Sequence, residues 1–177
     1  MNKVVKELLS TLIYVGVVFL LTFLFITFVM QRTEVSGSSM NPTLWDRDSL
    51  LIEKVSYRFG DVNRFDIIVF PYRYGNEEYF IKRVIGLPGE TVRIDLDGNI
   101  YINDVLLEEN YGAEVILDPG VALNGITLGQ DEYFVMGDNR NHSMDSRDAS
   151  VGNVKKKDIL GHAFIRIYPF STFGGLN

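Results

Sequence analysis

Residues 8–30 form a run of 23 positions without a charged side chain, rich in Leu, Phe, Val and Ile. Wound into a helix at about 1.5 Å per residue, such a run is roughly 35 Å long and crosses a hydrocarbon core of about 30 Å with some tilt. A cleavable leader is the alternative, but its apolar core is only about 7 to 15 residues and ends in small side chains. This run ends Phe28-Val29-Met30-Gln31-Arg32, with no small-x-small site. The sequence therefore predicts a retained single-pass anchor in the cell membrane at residues 8–30, a cytoplasmic segment at 1–7 and an extracytoplasmic domain at 31–177. Lys3, Lys6 and the amino terminus precede the run, whereas Arg32 follows it close to Glu34. That positive excess favours a cytoplasmic N-terminus.

Beyond the run, about 140 residues remain, enough to bury a core without disulfides or metals. The chain has no cysteine, which excludes a disulfide framework, a cysteine nucleophile and a Cys-ligated zinc site. Residues 31–177 carry 15 Lys+Arg against 22 Asp+Glu, a balance of −7. An acidic domain without a basic stripe repels a phosphate backbone, so no nucleic-acid partner is expected and a peptide or protein substrate fits better; membrane lipid is expected as a partner of the apolar run alone.

After residue 30 the pattern changes to short alternating segments bounded by turn residues, with no long helical period. Strands are predicted at 50–55, 67–72, 79–85, 91–95, 99–102, 133–136 and 162–168. Asp97-Gly98 and Asn103-Asp104 mark hairpin turns, which makes residues 91–108 a small meander. The expected fold is mainly β, a closed or nearly closed barrel-like sheet behind a membrane helix. Asp95-Leu96-Asp97-Gly98-Asn99 superficially matches a calcium loop, but Ile100 stands where the loop glycine belongs and Leu106 where the bidentate acid belongs. No metal and no cofactor are expected.

Three polar clusters interrupt the strand pattern. Ser36-Gly37-Ser38-Ser39-Met40-Asn41-Pro42-Thr43-Leu44 lies just past the anchor and alone is no more than a Ser-rich connection. In Phe80-Ile81-Lys82-Arg83-Val84-Ile85-Gly86-Leu87-Pro88-Gly89, alternation puts Lys82 on one face with Phe80 and Val84, and Arg83 on the other. A buried lysine is costly unless paired or neutral; on an edge strand its stem would instead snorkel over the sheet. Gly137-Asp138-Asn139-Arg140-Asn141-His142-Ser143-Met144-Asp145-Ser146-Arg147 is too dense in hydrogen-bonding groups for an ordinary turn.

In this order, together with the N-terminal span and Arg64-Phe65-Asp66-Ile67-Ile68-Val69-Phe70, the clusters resemble the type I signal peptidases in their short form. The resemblance implies a β-rich catalytic domain built around an SH3-like barrel on the outer membrane face. It implies Ser39 as nucleophile and Lys82 as general base, Ser143 as a serine that orients the lysine, and Asp145 with Arg147 as a supporting salt bridge. Met40, Leu44, Val69, Ile81 and Val35 match the walls of shallow pockets for small side chains at the first and third positions before the cut. The implied substrates are signal-peptide-bearing preproteins, met near the secretion translocon. Two positions depart from the pattern: Gly37 stands where some relatives have a serine whose hydroxyl helps hold the oxyanion, and Asn141-His142 replaces a common Asp-Asn.

The implied chemistry sets a requirement. A lysine at its reference pKa of about 10.4 is protonated near neutrality and cannot take a serine proton, so burial must lower that pKa by roughly 2 to 3 units. Neutral Lys82 then activates Ser39, protonates the leaving amine, and water resolves the acyl-enzyme. The alternatives are a triad based on His142, a self-cleaving Ser/Lys repressor and a non-enzymatic membrane-tethered β-domain. The second would need a DNA-binding helical domain where the apolar run stands; His162, in a predicted strand, suits a structural role. Asn141-His142-Ser143 also spells a glycosylation acceptor, which would obstruct the loop beside the lysine.

Overall fold

The computed structural model describes residues 2–75 and 78–176. Helix α1 (Lys3–Phe28) is 26 residues long, has a mean hydropathy of 2.5 over its most apolar window and buries none of its side chains against the domain. It starts earlier than the uncharged run and stops two residues short of its end. Met30 already belongs to strand β1 (Met30–Glu34), which pairs antiparallel with β2 (Ser49–Glu53). The pairing runs up to the helix end, where the Lys54 N–H donates to the Val29 carbonyl at 3.0 Å. Helix and domain are thus joined without a linker.

The remaining elements follow as helix α2 (Ser56–Phe59), β3 (Ile67–Pro71), β4 (Tyr79–Gly86), β5 (Thr91–Ile94), β6 (Ile100–Ile102), β7 (Val105–Leu106), β8 (Ile126–Thr127), β9 (Glu132–Met136), β10 (Val154–Lys155), β11 (Gly161–Tyr168) and β12 (Gly174–Gly175). The main sheet runs β1-β2-β11-β3-β4-β9-β10, with β12 on β11; the second runs β7-β6-β5-β8. Every predicted strand has a counterpart within two residues at either end. The 91–108 meander forms as expected, with Asn103 and Asp104 both left-handed in its second turn. The barrel expectation needs correction. Among the described residues no pairing joins β1 to β10, so the main sheet is an open path. Its two ends are a strand continuous with the apolar helix α1 and a strand of only two residues, and neither pairs with the other.

Three apolar clusters hold the layers. The first, around Ile85, Ile94, Phe134 and Met136, lies between the two sheets; the second, around Met40, Leu44, Leu50, Ile52 and Val69, lies under the Ser39 turn; the third, around Ile68, Phe70, Val84 and Val135, covers the opposite face. Strand β4 is therefore buried on both faces from Lys82 onward. A doubly buried strand normally reads as an unbroken apolar run; this one is broken by Lys82 and Arg83. Each cation must be compensated or neutralised.

For Arg83 the compensation is complete. Its Nε and Nη2 donate to the two Asp138 oxygens at 2.9 and 2.7 Å, Nη1 donates to the Phe65 carbonyl at 2.9 Å, and its guanidinium lies 3.7 Å from the Tyr111 ring centroid. Both side chains of the pair are at most 1% exposed. Removing one partner leaves an uncompensated buried charge, which costs about 3 to 5 kcal/mol. Arg83→Met and Asp138→Leu should each lower the denaturant-unfolding free energy by that amount, and the double variant should lose less than either single change.

Candidate active site

The Ser39 turn crosses from β1 to β2 over the second apolar cluster. Met40 is buried beneath it, and the Leu44 N–H donates to the Met40 carbonyl at 2.9 Å, which winds residues 40–44 into a compact turn. From the third polar cluster, Asn139 pins the turn: its N–H donates to the Ser39 carbonyl at 3.0 Å and its Nδ2 to the Ser38 carbonyl at 3.1 Å. Gly137 makes this approach possible. A Cβ there would collide with the Ser39 carbonyl oxygen and with Ser143 Oγ.

Opposite Ser39, Lys82 is 4% exposed. Its Nζ lies 2.8 Å from Ser39 Oγ, 3.0 Å from the Ile81 carbonyl oxygen and 4.8 Å from the Phe80 ring centroid. Strand β9 pairs with β4 only from Arg83 onward, so the ammonium curls onto a free stretch of its own strand. Burial lowers its pKa from 10.5 to about 8, against the nearby Asp145 and Asp138 carboxylates, which act to raise it. Those carboxylates are occupied. Asp138 is held by Arg83, and Asp145 takes Arg147 Nε and Nη2 on its two oxygens at 2.8 Å each, plus the Gly137 N–H at 3.0 Å. Each arginine offsets the charge that would otherwise keep the lysine protonated.

Ser143 makes no hydrogen bond to Lys82 in this structure. Its Oγ is buried beside Gly137 and has no hydrogen-bond partner, while Nζ is engaged by Ser39 and by the Ile81 carbonyl. His142 is exposed, its main-chain N–H donating to the Asn139 carbonyl, and it does not line the site. His162 sits on β11 near Tyr57, its Nε2 3.9 Å from Asp66 Oδ1, which agrees with a structural role. Asn141 is fully used: its side chain donates to Glu114 and the Val115 carbonyl and accepts the Leu117 N–H. Asp95 likewise spends its carboxylate on the Asp97 and Asn99 N–H groups, the Asn99 amide and the Tyr101 hydroxyl.

A cleft of about 560 Å³ opens at Ser39 and Lys82. Val35, Met40, Val69 and Ile81 line it. Leu44 does not: it is fully buried behind Met40, packed with Leu50 and Ile52, because the turn directs it into the core. Tyr79, Phe80 and Met144 line the cleft without having been singled out. For Met144 the available signal was its place between Ser143 and Asp145. Gly37, at φ +93°, has open space where a Cβ would stand, and its N–H donates to Asp46 Oδ1 at 2.8 Å. Among the described residues the Ser39 N–H has no acceptor.

A serine hydroxyl against a buried, partly neutral lysine, at the head of a cleft with two free strand edges, is equipped for acyl transfer. The family described as "Signal peptidase, peptidase S26" matches residues 6–168. The chain belongs to this family. A probable signal peptidase I-2 of Synechocystis sp. is 41% identical over 153 residues, covering 84% of this chain and 67% of the relative. Signal peptidase I U of Bacillus subtilis is 35% identical over 173 residues, 93% and 91% of the two chains. A crystal structure of a signal peptidase I from Enterococcus faecalis is 39% identical, covers 58% of this chain and 96% of its own, and has a TM-score of 0.48. The protein is accordingly a serine endopeptidase of the signal peptidase I kind.

The depressed lysine has a cost in stability with a definite pH window. Below about pH 8 Lys82 is charged in both folded and unfolded chains and the penalty is constant; between pH 8 and 10.5 only the unfolded chain stays protonated, and the penalty fades. The shift corresponds to about 3 kcal/mol. Lys82→Met should therefore raise unfolding free energy near pH 7 by about that much, and the gain should shrink as pH rises toward 10.5.

Proposed function

We propose that Ser39 is the nucleophile and Lys82 the general base of a Ser/Lys dyad that removes signal peptides from preproteins. The 2.8 Å contact between Lys82 Nζ and Ser39 Oγ, in a site dry enough to bring the lysine to about 8, carries this assignment. A neutral amine has one lone pair and two N–H donors. Nζ accepts the Ser39 proton with the lone pair while an N–H donates to the Ile81 carbonyl. After attack on the scissile carbonyl the resulting ammonium protonates the leaving amine, and a water activated by the same amine releases the acyl group. The unpaired Ser39 N–H is the oxyanion donor, and with Gly37 in place no hydroxyl assists it from that position.

Substrate lies extended between two free edges. The outer edge of β1 continues through Val35 and Ser36, and β4 is unpaired on its β9 side over residues 79–82; both line the cleft. A strand added between them gains main-chain hydrogen bonds, and its alternate side chains point at Val35, Met40, Val69 and Ile81. Those walls are packed, so large side chains at the first and third positions before the cut would have to displace them, at about 1 to 3 kcal/mol. Asp145 and Arg147 hold the loop behind the dyad. Ser143 orients the lysine in the substrate-bound site, where rotation of its free hydroxyl about Cβ supplies the bond. In the membrane, α1 spans with residues 1–7 cytoplasmic and the domain of residues 31–177 outside, close to the translocon that delivers the preprotein.

The test is cleavage of a purified preprotein with an Ala-x-Ala site. Lys82→Ala and Lys82→Arg should abolish turnover, the second because guanidinium stays charged at any working pH. His142→Ala should keep most activity, Ser143→Ala should lose it partially, and Phe at the first position before the cut should block cleavage. A folded Lys82→Ala protein with near-normal turnover would refute the dyad.

A further inference from the structure

Beside the C-terminal end of α1 a groove of about 930 Å³ is lined by Thr27 and Phe28 of the helix and by Lys54, Lys156 and Lys157, with Asp131 and Asp158 among its other walls. Lys54 is fixed to the helix end twice, through its N–H to the Val29 carbonyl at 3.0 Å and its Nζ to the Thr27 carbonyl at 3.5 Å. Lys157 is exposed, and Lys156 pairs at 2.9 Å with an Asp61 side chain that is 92% exposed and so free to exchange partners. Since Phe28 ends the helix and Met30 begins the sheet, the groove lies within two residues of the point where the apolar span meets water.

The distribution of charge around it is lopsided. Residues 90–125, which hold β5, β6, β7 and their loops, contain eight carboxylates and one arginine, a balance of −7, equal to that of residues 31–177 as a whole. Everything else in the domain is neutral in sum. The acidic lobe is repelled by an anionic membrane surface, whereas the lysines at the helix end are drawn to it. Asp131 and Asp158 keep the groove from gathering a polyanion, which suits a single phosphodiester. Phe28, 52% exposed, offers the adjoining acyl chain an apolar wall.

We propose that this groove binds the phosphate of an anionic phospholipid and thereby sets the tilt of the catalytic domain on the membrane. The inference rests on α1 spanning the bilayer. It gives Lys54, Lys156 and Lys157 a role separate from the dyad: they hold the cleft at a fixed attitude to a signal peptide leaving the same bilayer.

The full-length protein in nanodiscs of phosphatidylcholine, or of an equimolar mixture with phosphatidylglycerol, tests it by native mass spectrometry of the lipids retained on release. Phosphatidylglycerol should be retained in preference to phosphatidylcholine. The triple change Lys54→Gln, Lys156→Gln, Lys157→Gln should cut that retention at least about tenfold, leaving cleavage of a preprotein in detergent unchanged. Equal retention of the two lipids, or undiminished phosphatidylglycerol on the triple variant, would overturn the proposal. So would inorganic phosphate alone, in detergent, if it shielded the amides of residues 154–162 from hydrogen exchange as strongly as the lipid does, for that would mark a soluble-anion site. Resistance of the protein to carbonate extraction separates the two premises: an extractable chain would refute the span, while an integrated chain without lipid preference refutes the groove alone.

Discussion

A lysine ammonium cannot be both charged and dry at low cost, and the architecture around the dyad follows from that conflict. Lys82 sits on a strand buried on both faces, its amine beside a phenylalanine ring and a serine hydroxyl, with water largely excluded. Burial alone would lower the pKa further, but Asp145 and Asp138 oppose it. Without partners those two carboxylates would restore the ammonium. Arg147 and Arg83 meet each of them through two hydrogen bonds, so the carboxylates buttress the loop while the lysine is left near the pKa that general-base work at neutral to mildly alkaline pH requires. The aspartate of each pair thus serves position more than charge.

The same network ties the three polar clusters into one object. Arg83 follows Lys82 in the chain and reaches Asp138 on the other side of the strand; the residue after Asp138 grips the Ser39 turn; Asp145 closes back on the Gly137 N–H. A loss at any of these contacts moves Ser39 relative to Lys82. Gly137 has no room for a side chain because the Ser39 turn and the Ser143 loop meet there.

Much of this was legible in the sequence, and the failures have physical causes. The seven long strands were visible because alternation and turn residues bounded them. Strand β1 was hidden because Met30 continues the apolar run, so composition does not mark where the helix stops. The two-residue strands β8, β10 and β12 carry too little pattern to read. Lys82 and Arg83 could be assigned opposite faces by period, but their partners could not, since Asp138 is 55 positions from Arg83 in the chain. The family resemblance put Leu44 at a pocket wall, and its hydrophobicity suits the core behind that wall equally well; the turn at Met40 sends it there. The barrel failed to close because ladder pairing at the sheet ends depends on neighbours in space. The Asn139 contacts were missed because main-chain acceptors leave no mark in a sequence.

The central claim is that burial brings the Lys82 amine to about 8, so that a working fraction of it is neutral at neutral to mildly alkaline pH. Selective isotope labelling of lysine side chains, with the Lys82→Met protein supplying the assignment, gives its titration directly by nuclear magnetic resonance in the folded full-length enzyme. A midpoint near 8 is the predicted result. A Lys82 amine that stays charged to above pH 10, like a lysine in water, would contradict the account.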